Sequence, residues 1–166
     1  MIRTLVACAA LLGMAPSLAC AAADDPYAPL KLYEGDWLVT STGSAKPMRV
    51  ENHCARTGLF FACEQVVDGK SAALVVFLPE GRSAAGESYR TQALRADAAT
   101  PGPWYTLTID GERWVYAQGT QSGGRAVHKR TVNQFSGPDH ISFEVQSSTD
   151  GRNWTTTMNG EERRTQ

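Results

Sequence analysis

The residues best suited to do chemistry surround one glycine, in the stretch NHCARTGLFFACEQ from Asn52 to Gln65. A two-residue turn at Gly58-Leu59 suits a type II′ hairpin, which takes glycine in its first central position. Such a turn places three pairs of side chains opposite each other on adjacent strands: Cys54 with Cys63, Asn52 with Gln65, and His53 with Glu64. Each pair predicts a different chemistry.

The cysteine pair favours a disulfide. Cys54 and Cys63 fall on a non-hydrogen-bonded pair of the predicted hairpin, where the Cα atoms approach to about 4.5 Å. That distance lies at the short end of the range for disulfides. The alternatives are a redox pair or a metal site, but the sequence has no C-x-x-C motif and no third ligand close by. We therefore expect a structural cross-strand disulfide.

The amide pair predicts a site for a ligand. Asn52 and Gln65 share the apolar face of the disulfide, and two amides inside a barrel could orient a polar group. A hairpin turning at Asp110-Gly111 adds apolar wall, because it pairs Leu107 with Trp114 and Tyr105 with Tyr116. The expected ligand-binding residues are thus Asn52, Gln65, Tyr105, Trp114 and Tyr116. The alternative is that the two amides bond each other or lie at a wet rim.

The remaining candidates for chemistry are weaker. His53 and Glu64 point to the opposite face, where such a pair acts as an acid and base or is an ordinary solvated pair. His128 and His140 are isolated in sequence, so no metal site is expected. A single axial haem ligand at His128 is an alternative without further support. No serine-hydrolase, P-loop or Rossmann motif occurs. We assign no catalytic residue, metal or cofactor.

Short strands must position these residues. Asp-Gly, a strong hairpin signal, occurs between strand-like runs at Asp68-Gly69, at Asp110-Gly111 and, with a longer loop, at Asp150-Gly151. The first of these turns would pair Cys63 with Leu74 and Phe61 with Val76. Roughly ten strands are predicted in all. One short helix is predicted in DDPYAPLKLYE, where Asp25 can cap and Pro26 can begin the helix.

Consecutive antiparallel strands must protect their edges, and closure into a barrel does so most completely. The sequence therefore predicts an all-β fold, an antiparallel up-and-down barrel of roughly 8–10 strands with a short N-terminal helix. A β-sandwich is the alternative.

The N-terminus predicts export. Arg3 precedes an apolar run from Leu5 to Met14, and small residues follow, which is typical of a signal peptide. We place the signal peptide at residues 1–21 and a single barrel domain at residues 22–166. A lipid anchor on Cys20 is an alternative. Periplasmic or secreted localisation in a bacterial envelope is expected, with no transmembrane span.

Charge excludes nucleic acid as an expected partner. The chain carries 16 basic and 17 acidic residues, and no block of like charges stands out. Loss of Arg3 with the signal peptide makes the balance slightly more acidic. Nucleic-acid-binding domains are usually strongly basic.

The first predicted strand begins LYEGDWLV, and Gly35-Asp36-Trp37 forms a G-x-W motif at its start. This motif resembles that of the calycins, which include lipocalins, fatty-acid-binding proteins and avidins, and the final segment SSTDGRNWTTTMNGEERR is similar to small bacterial lipocalin-like families of unassigned function. The resemblance implies that Trp37 packs across a closed barrel end with Arg163 or Arg164 over it. The lipocalin Thr-Asp-x-x-Tyr element is absent.

Together these observations predict a non-enzymatic exported protein that binds a small hydrophobic or amphipathic ligand in the barrel. The alternative is a structural or accessory envelope protein with a filled core and protein partners. An enzyme is the third interpretation.

Overall fold

The computed structural model describes residues 25–122 and 125–165, so the predicted signal peptide and Cys20 lie outside the described residues. A 3-10 helix at Pro29–Tyr33 precedes ten strands. The strands are β1 (Gly35–Ser41), β2 (Met48–Thr57), β3 (Phe60–Val67), β4 (Lys70–Ser83), β5 (Gly86–Arg95), β6 (Trp104–Asp110), β7 (Arg113–Ser122), β8 (Arg125–Phe135), β9 (His140–Ser148) and β10 (Thr155–Arg164).

Each strand pairs with its neighbours in sequence, and β1 also pairs with β10, so the sheet closes into an up-and-down antiparallel barrel. The closing register runs from Trp37 opposite Arg164 to Ser41 opposite Gly160. This confirms the predicted all-β barrel and excludes the sandwich, because every described strand has two partners. Among the described residues, none of the helical structure is long and apolar enough to cross a membrane.

The cysteine hairpin forms in the predicted register. Thr57 pairs with Phe60, and the pairing continues to Asn52 opposite Gln65. Gly58 has a φ of +60°, as the first central residue of a type II′ turn requires. Cys54 and Cys63 form a disulfide with their Cα atoms 4.0 Å apart.

The next hairpin differs from the prediction beyond its turn. Asp68-Gly69 is the turn, with Val67 opposite Lys70. A β-bulge then places one extra residue on β4, so Cys63 pairs with Val75 and Phe61 with Phe77. The predicted partners Leu74 and Val76 were therefore wrong, because one inserted residue turns every later side chain to the other face.

The predicted pairing of β6 with β7 was also wrong, by one step. The turn residues are Gly111 and Glu112, since Asp110 pairs with Arg113, and consequently Ile109 faces Trp114 and Leu107 faces Tyr116. The left-handed φ of +55° falls on Gly111, which suits glycine as the first central residue. The shift preserves which face each side chain occupies, so the predicted apolar face is retained.

The 3-10 helix plugs the end of the barrel at which β1 begins, here called the plugged end. Asp25 caps a turn rather than the helix itself: its carboxylate accepts from the Tyr27 N–H at 3.1 Å. Tyr27 and Leu30 are buried in the lumen. The Tyr27 ring stacks on Phe61 at 5.5 Å, and the Tyr89 hydroxyl donates to the carbonyl of Pro26.

Large side chains fill the lumen beside this plug. Trp114 packs on Phe135 with ring centroids 4.6 Å apart. The largest fully buried side chains are Trp37, Trp114, Tyr27, Tyr89, Phe77, Phe135, Leu30, Leu107, Ile141, Asn52 and Cys63. The barrel therefore has a solid core next to the plug, and its remaining space lies farther along the axis.

Candidate functional site

The barrel lumen contains a cavity of about 350 Å³. This volume is at the lower end of the range for small-molecule sites, which is roughly 300–1,000 Å³. The lining is largely aromatic and aliphatic, with a few polar groups: Tyr33, Gln65, Val75, Phe77, Thr91, Gln92, Ala93, Tyr105, Tyr116, Thr131, Asn133, Phe143, Val145, Met158 and Glu162. Strands from β3 to β10 supply all of these except Tyr33, which the 3-10 helix supplies.

The cavity brings together three of the five residues that sequence reasoning selected. Gln65, Tyr105 and Tyr116 line it. Asn52 and Trp114 do not, because both are buried in the solid core beside the plug. The two selected amides are paired across β2 and β3, yet only Gln65 faces the cavity.

Asn52 instead holds the backbone of Tyr33. The carbonyl of Tyr33 accepts one hydrogen bond from Asn52 Nδ2 at 3.2 Å and another from Trp37 Nε1 at 3.1 Å. The Tyr33 ring lies 6.3 Å from the Trp114 ring, centroid to centroid. Asn52 and Trp37 thus hold the end of the plug in place, and the plug positions the ring of Tyr33 in the wall of the cavity.

Glu162 is the one carboxyl group in the cavity lining given above. Its neighbours across the sheet are Val39 on β1 and Ile141 on β9, and both are buried apolar residues. This apolar setting raises the pKa of the Glu162 carboxyl from 4.5 to about 7, because burial disfavours its charged form.

Both burial and the Glu162 carboxylate raise the pKa of two tyrosine hydroxyls in the cavity. Burial raises the pKa of Tyr33 well above its ordinary value, and the charge of Glu162 raises it further. The pKa of Tyr116 is raised by the same two causes in the same order. Both phenols are therefore neutral at physiological pH, and Glu162 lies close enough to each to act on it electrostatically.

Another buried polar group lines the cavity without a partner. Asn133 is only 3% exposed, and its Oδ1 accepts no hydrogen bond among the described residues. Asn52 Oδ1 and Trp114 Nε1 are also unsatisfied, but neither side chain lines the cavity. A buried polar atom without a partner costs about 1–3 kcal/mol, so a ligand that donated to Asn133 would recover part of this cost.

A second cavity, of about 560 Å³, shares Gln65 and Ala93 with the first and lies toward the end opposite the plug. Its lining includes Lys70 and the Arg95–Asp97 ion pair, whose nearest atoms are 2.7 Å apart. The charged side chains of that pair are largely exposed. The lumen cavity therefore adjoins the protein surface on this side.

The G-x-W segment lies at the plugged end. Arg164 places its guanidinium 4.4 Å from the centroid of the Trp37 ring. The same guanidinium donates to the carbonyls of Leu32 at 2.9 Å and of Glu34, and so ties the helix to β10. Arg163 points outward and pairs with Glu161 at 2.8 Å.

Gly35 allows this approach of Arg164. Its φ of +116° is a backbone conformation that residues with a side chain rarely adopt. An added Cβ would also lie 2.3 Å from an Arg164 nitrogen. The two constraints together explain why glycine begins the first strand.

The other groups that could do chemistry are dispersed. His53 and Glu64 are exposed on the outer face, and His53 lies 3.6 Å from Glu51. His140 lies 3.5 Å from Glu161. Over residues 25–122 and 125–165, no three His, Cys, Asp or Glu side chains cluster as metal ligands.

Sequence reasoning missed Tyr33, Asn133 and Glu162. A signal for Glu162 was present, because residues two apart on a strand share a face. If Arg164 lies over Trp37 inside the barrel end, Glu162 must also point inward. The choice between Arg163 and Arg164 was left open, and with it the direction of Glu162.

No protein-family model matches the chain, and neither does any curated protein. The closed ten-stranded barrel is compatible with a lipocalin-like fold.

Proposed function

We propose that this chain is a non-enzymatic binding protein that holds a small hydrophobic or amphipathic ligand in the barrel lumen. The observation that carries the proposal is the cavity of about 350 Å³, walled by aromatic and aliphatic side chains with few polar groups. Sites for small molecules have this composition. A purely structural barrel would instead gain stability from filling the space, since each buried methylene contributes about 0.8 kcal/mol.

We further propose that the protein works in the periplasm or outside the cell, as a lipocalin-like member of the calycin group. The Cys54–Cys63 disulfide fits an oxidising compartment. The packing of Arg164 over Trp37 beside a G-x-W motif supports the calycin assignment.

Titration with N-phenyl-1-naphthylamine, a neutral apolar fluorophore, tests the binding function. We expect fluorescence enhancement with one probe bound per chain. Ala93→Phe should abolish the enhancement, because Ala93 lines the cavity and a phenyl ring would occupy its space.

Ala117→Phe is the matched control. Ala117 is exposed on the outer face of β7, so the same change should leave the titration as in the wild type. Absence of probe binding, or equal binding by both variants, would contradict a lumen site. The filled-core accessory protein would then be the better interpretation.

A further inference from the structure

Two strong hydrogen-bond acceptors of the cavity have no donor. Among the described residues, Glu162 makes no ion pair and no side-chain hydrogen bond. Asn133 Oδ1 lines the same cavity and is also without a partner. A carboxylate and an amide carbonyl are both acceptors when the carboxylate is ionised.

No cation from the described residues compensates the carboxylate. The titratable groups that line the cavity are Glu162 and the three tyrosines Tyr33, Tyr105 and Tyr116; Lys, Arg and His are absent from this lining. On the strands that flank β10, the inward neighbours of Glu162 are Val39 and Ile141. The ionised lumen would thus carry one uncompensated negative charge.

Aromatic rings line the same cavity, and two of them, Tyr33 and Tyr116, lie close enough to Glu162 for its charge to act on their hydroxyls. The cavity lining includes the rings of Tyr33, Tyr105 and Tyr116 together with Phe143. The faces of aromatic rings attract cations, most strongly where water is excluded. An organic ammonium group could therefore donate to the acceptors and also interact with the rings. An acidic ligand would face a like charge, and a neutral ligand could satisfy only the hydrogen bonds.

We infer that the ligand is an organic amine with an apolar body, bound as its ammonium form, with the nitrogen donating to Glu162 and to Asn133 Oδ1. The inference rests on the proposed function, and it adds the chemical class of the ligand and the residues that select it. The apolar body lies against the aliphatic part of the lining, which includes Val75, Val145 and Met158.

The test compares three probes with the same phenylbutyl body: 4-phenylbutylamine, 4-phenylbutanol and 4-phenylbutanoate. Their affinities are measured by displacement of N-phenyl-1-naphthylamine, in phosphate buffer because amine buffers would compete. At pH 8 we expect the amine to bind at least about tenfold more tightly than the alcohol, since hydrogen bonds to charged groups are the stronger ones. The carboxylate should bind most weakly.

Acidification should reduce this preference. At pH 5.5 Glu162 is largely protonated in the free protein, so the amine must displace a proton before it can pair with the carboxylate. The ratio of amine to alcohol affinity should then fall several-fold. The 4-phenylbutanol affinity serves as the internal reference for any general effect of pH on the barrel.

Glu162→Gln keeps the shape of the side chain and removes its charge, and it should make amine and alcohol bind alike at both pH values. Glu64→Gln, an exposed position on β3, should retain the wild-type preference. Equal wild-type affinities for amine and alcohol at pH 8, or a preference that survives Glu162→Gln, would overturn the inference while leaving the binding function intact. Failure of every probe, N-phenyl-1-naphthylamine included, would overturn the binding function and this inference with it.

Discussion

At the scale of single residues, Arg164 packs against Trp37 at the plugged end of the barrel. The guanidinium lies over the indole and also donates to carbonyls on either side of the chain reversal before β1. The adjacent Arg163 has no such role, because it points to the outer surface and pairs with Glu161. Two neighbouring arginines thus differ only in the face of the strand that they occupy.

A double-mutant cycle should separate these two arginines. Trp37→Leu, which removes the aromatic face, combined with Arg164→Ala should show a coupling energy of about 0.5–2 kcal/mol, the range for cation–π pairs. The same cycle with Arg163→Ala should show coupling near zero. Urea unfolding of the single and double variants measures both. Coupling to Arg163, or to neither arginine, would contradict the contact and weaken the calycin assignment.

Gly35→Ala should be more costly than a typical glycine substitution. A methyl group there meets both an unfavourable φ of +116° and the Arg164 guanidinium, and backbone strain alone costs about 1–3 kcal/mol. Gly137→Ala is the control, because Gly137 has a positive φ but nothing within 4 Å of an added Cβ. We expect Gly35→Ala to lower the free energy of unfolding by clearly more than Gly137→Ala does. Equal losses would show that the guanidinium moves aside without cost.

Glu162 should make stability depend on pH. Its pKa is raised from 4.5 to about 7 in the folded protein, so the folded chain binds more protons than the unfolded chain between these values. Stability is therefore greatest below about pH 4.5 for this group, and is lost as pH rises through 7. Between pH 5 and pH 8 we expect a fall in the free energy of unfolding of up to about 3 kcal/mol.

Chemical denaturation at intervals of half a pH unit measures how the free energy of unfolding changes with pH, with Glu162→Gln as the comparison. The variant should be less pH-dependent over the same range and more stable than the wild type at pH 8. The lowered pKa of Asp150, which accepts from backbone N–H groups of its own loop, acts in the opposite direction and at lower pH. A slope that Glu162→Gln leaves unchanged would show that the carboxyl is not responsible.

At the scale of elements, the disulfide joins the two strands of one hairpin and closes a loop of about ten residues. Loss of such a cross-link costs about 2–3 kcal/mol in the chain-entropy model. We expect the Cys54→Ser, Cys63→Ser double variant to be destabilised by this amount and still to fold, because the β-ladders on both sides remain. Near-ultraviolet and far-ultraviolet circular dichroism would check the fold. A loss of fold would show that the hairpin depends on the cross-link.

The hairpins also show how far the sequence predicts register. The Cys54–Cys63 hairpin was predicted residue by residue, because glycine in the first turn position leaves one tight register. The β3–β4 hairpin was predicted only as far as Ser71, because the bulge that follows has no local signal in KSAALVV. The bulge matters for tertiary packing, because it places Phe77 in the lumen and Leu74 on the outside of the barrel.

The cavity was predicted less well than the barrel, for a related reason. Alternation within a strand identifies inward side chains such as Tyr105 and Tyr116, but it does not give their height along the barrel axis. Trp114 has the same inward direction and lies in the solid core instead. Height depends on the stagger of all ten strands and on the depth of the plug, and neither is encoded locally.

At the scale of the whole molecule, closure between β1 and β10 protects both chain ends of the barrel. Hydrogen exchange should therefore be about as slow for backbone amides bonded across residues 37–41 and 160–164 as for those between β8 and β9. In an open sheet, these two strands would be unprotected edges and would exchange faster. Fast exchange confined to β1 and β10 would contradict closure.

The plug also determines which end of an elongated ligand would lie deepest in the lumen. One end of the lumen is solid and the cavity adjoins the surface on the other side. If an elongated ligand binds there as proposed, the group that enters first would lie deepest and the other end would lie outermost. A lumen closed at one end limits the length of the chain that it can hold. In a homologous series of ligands, each added methylene should improve affinity by about 0.8 kcal/mol until the chain outgrows the lumen, and further carbons should then contribute almost nothing.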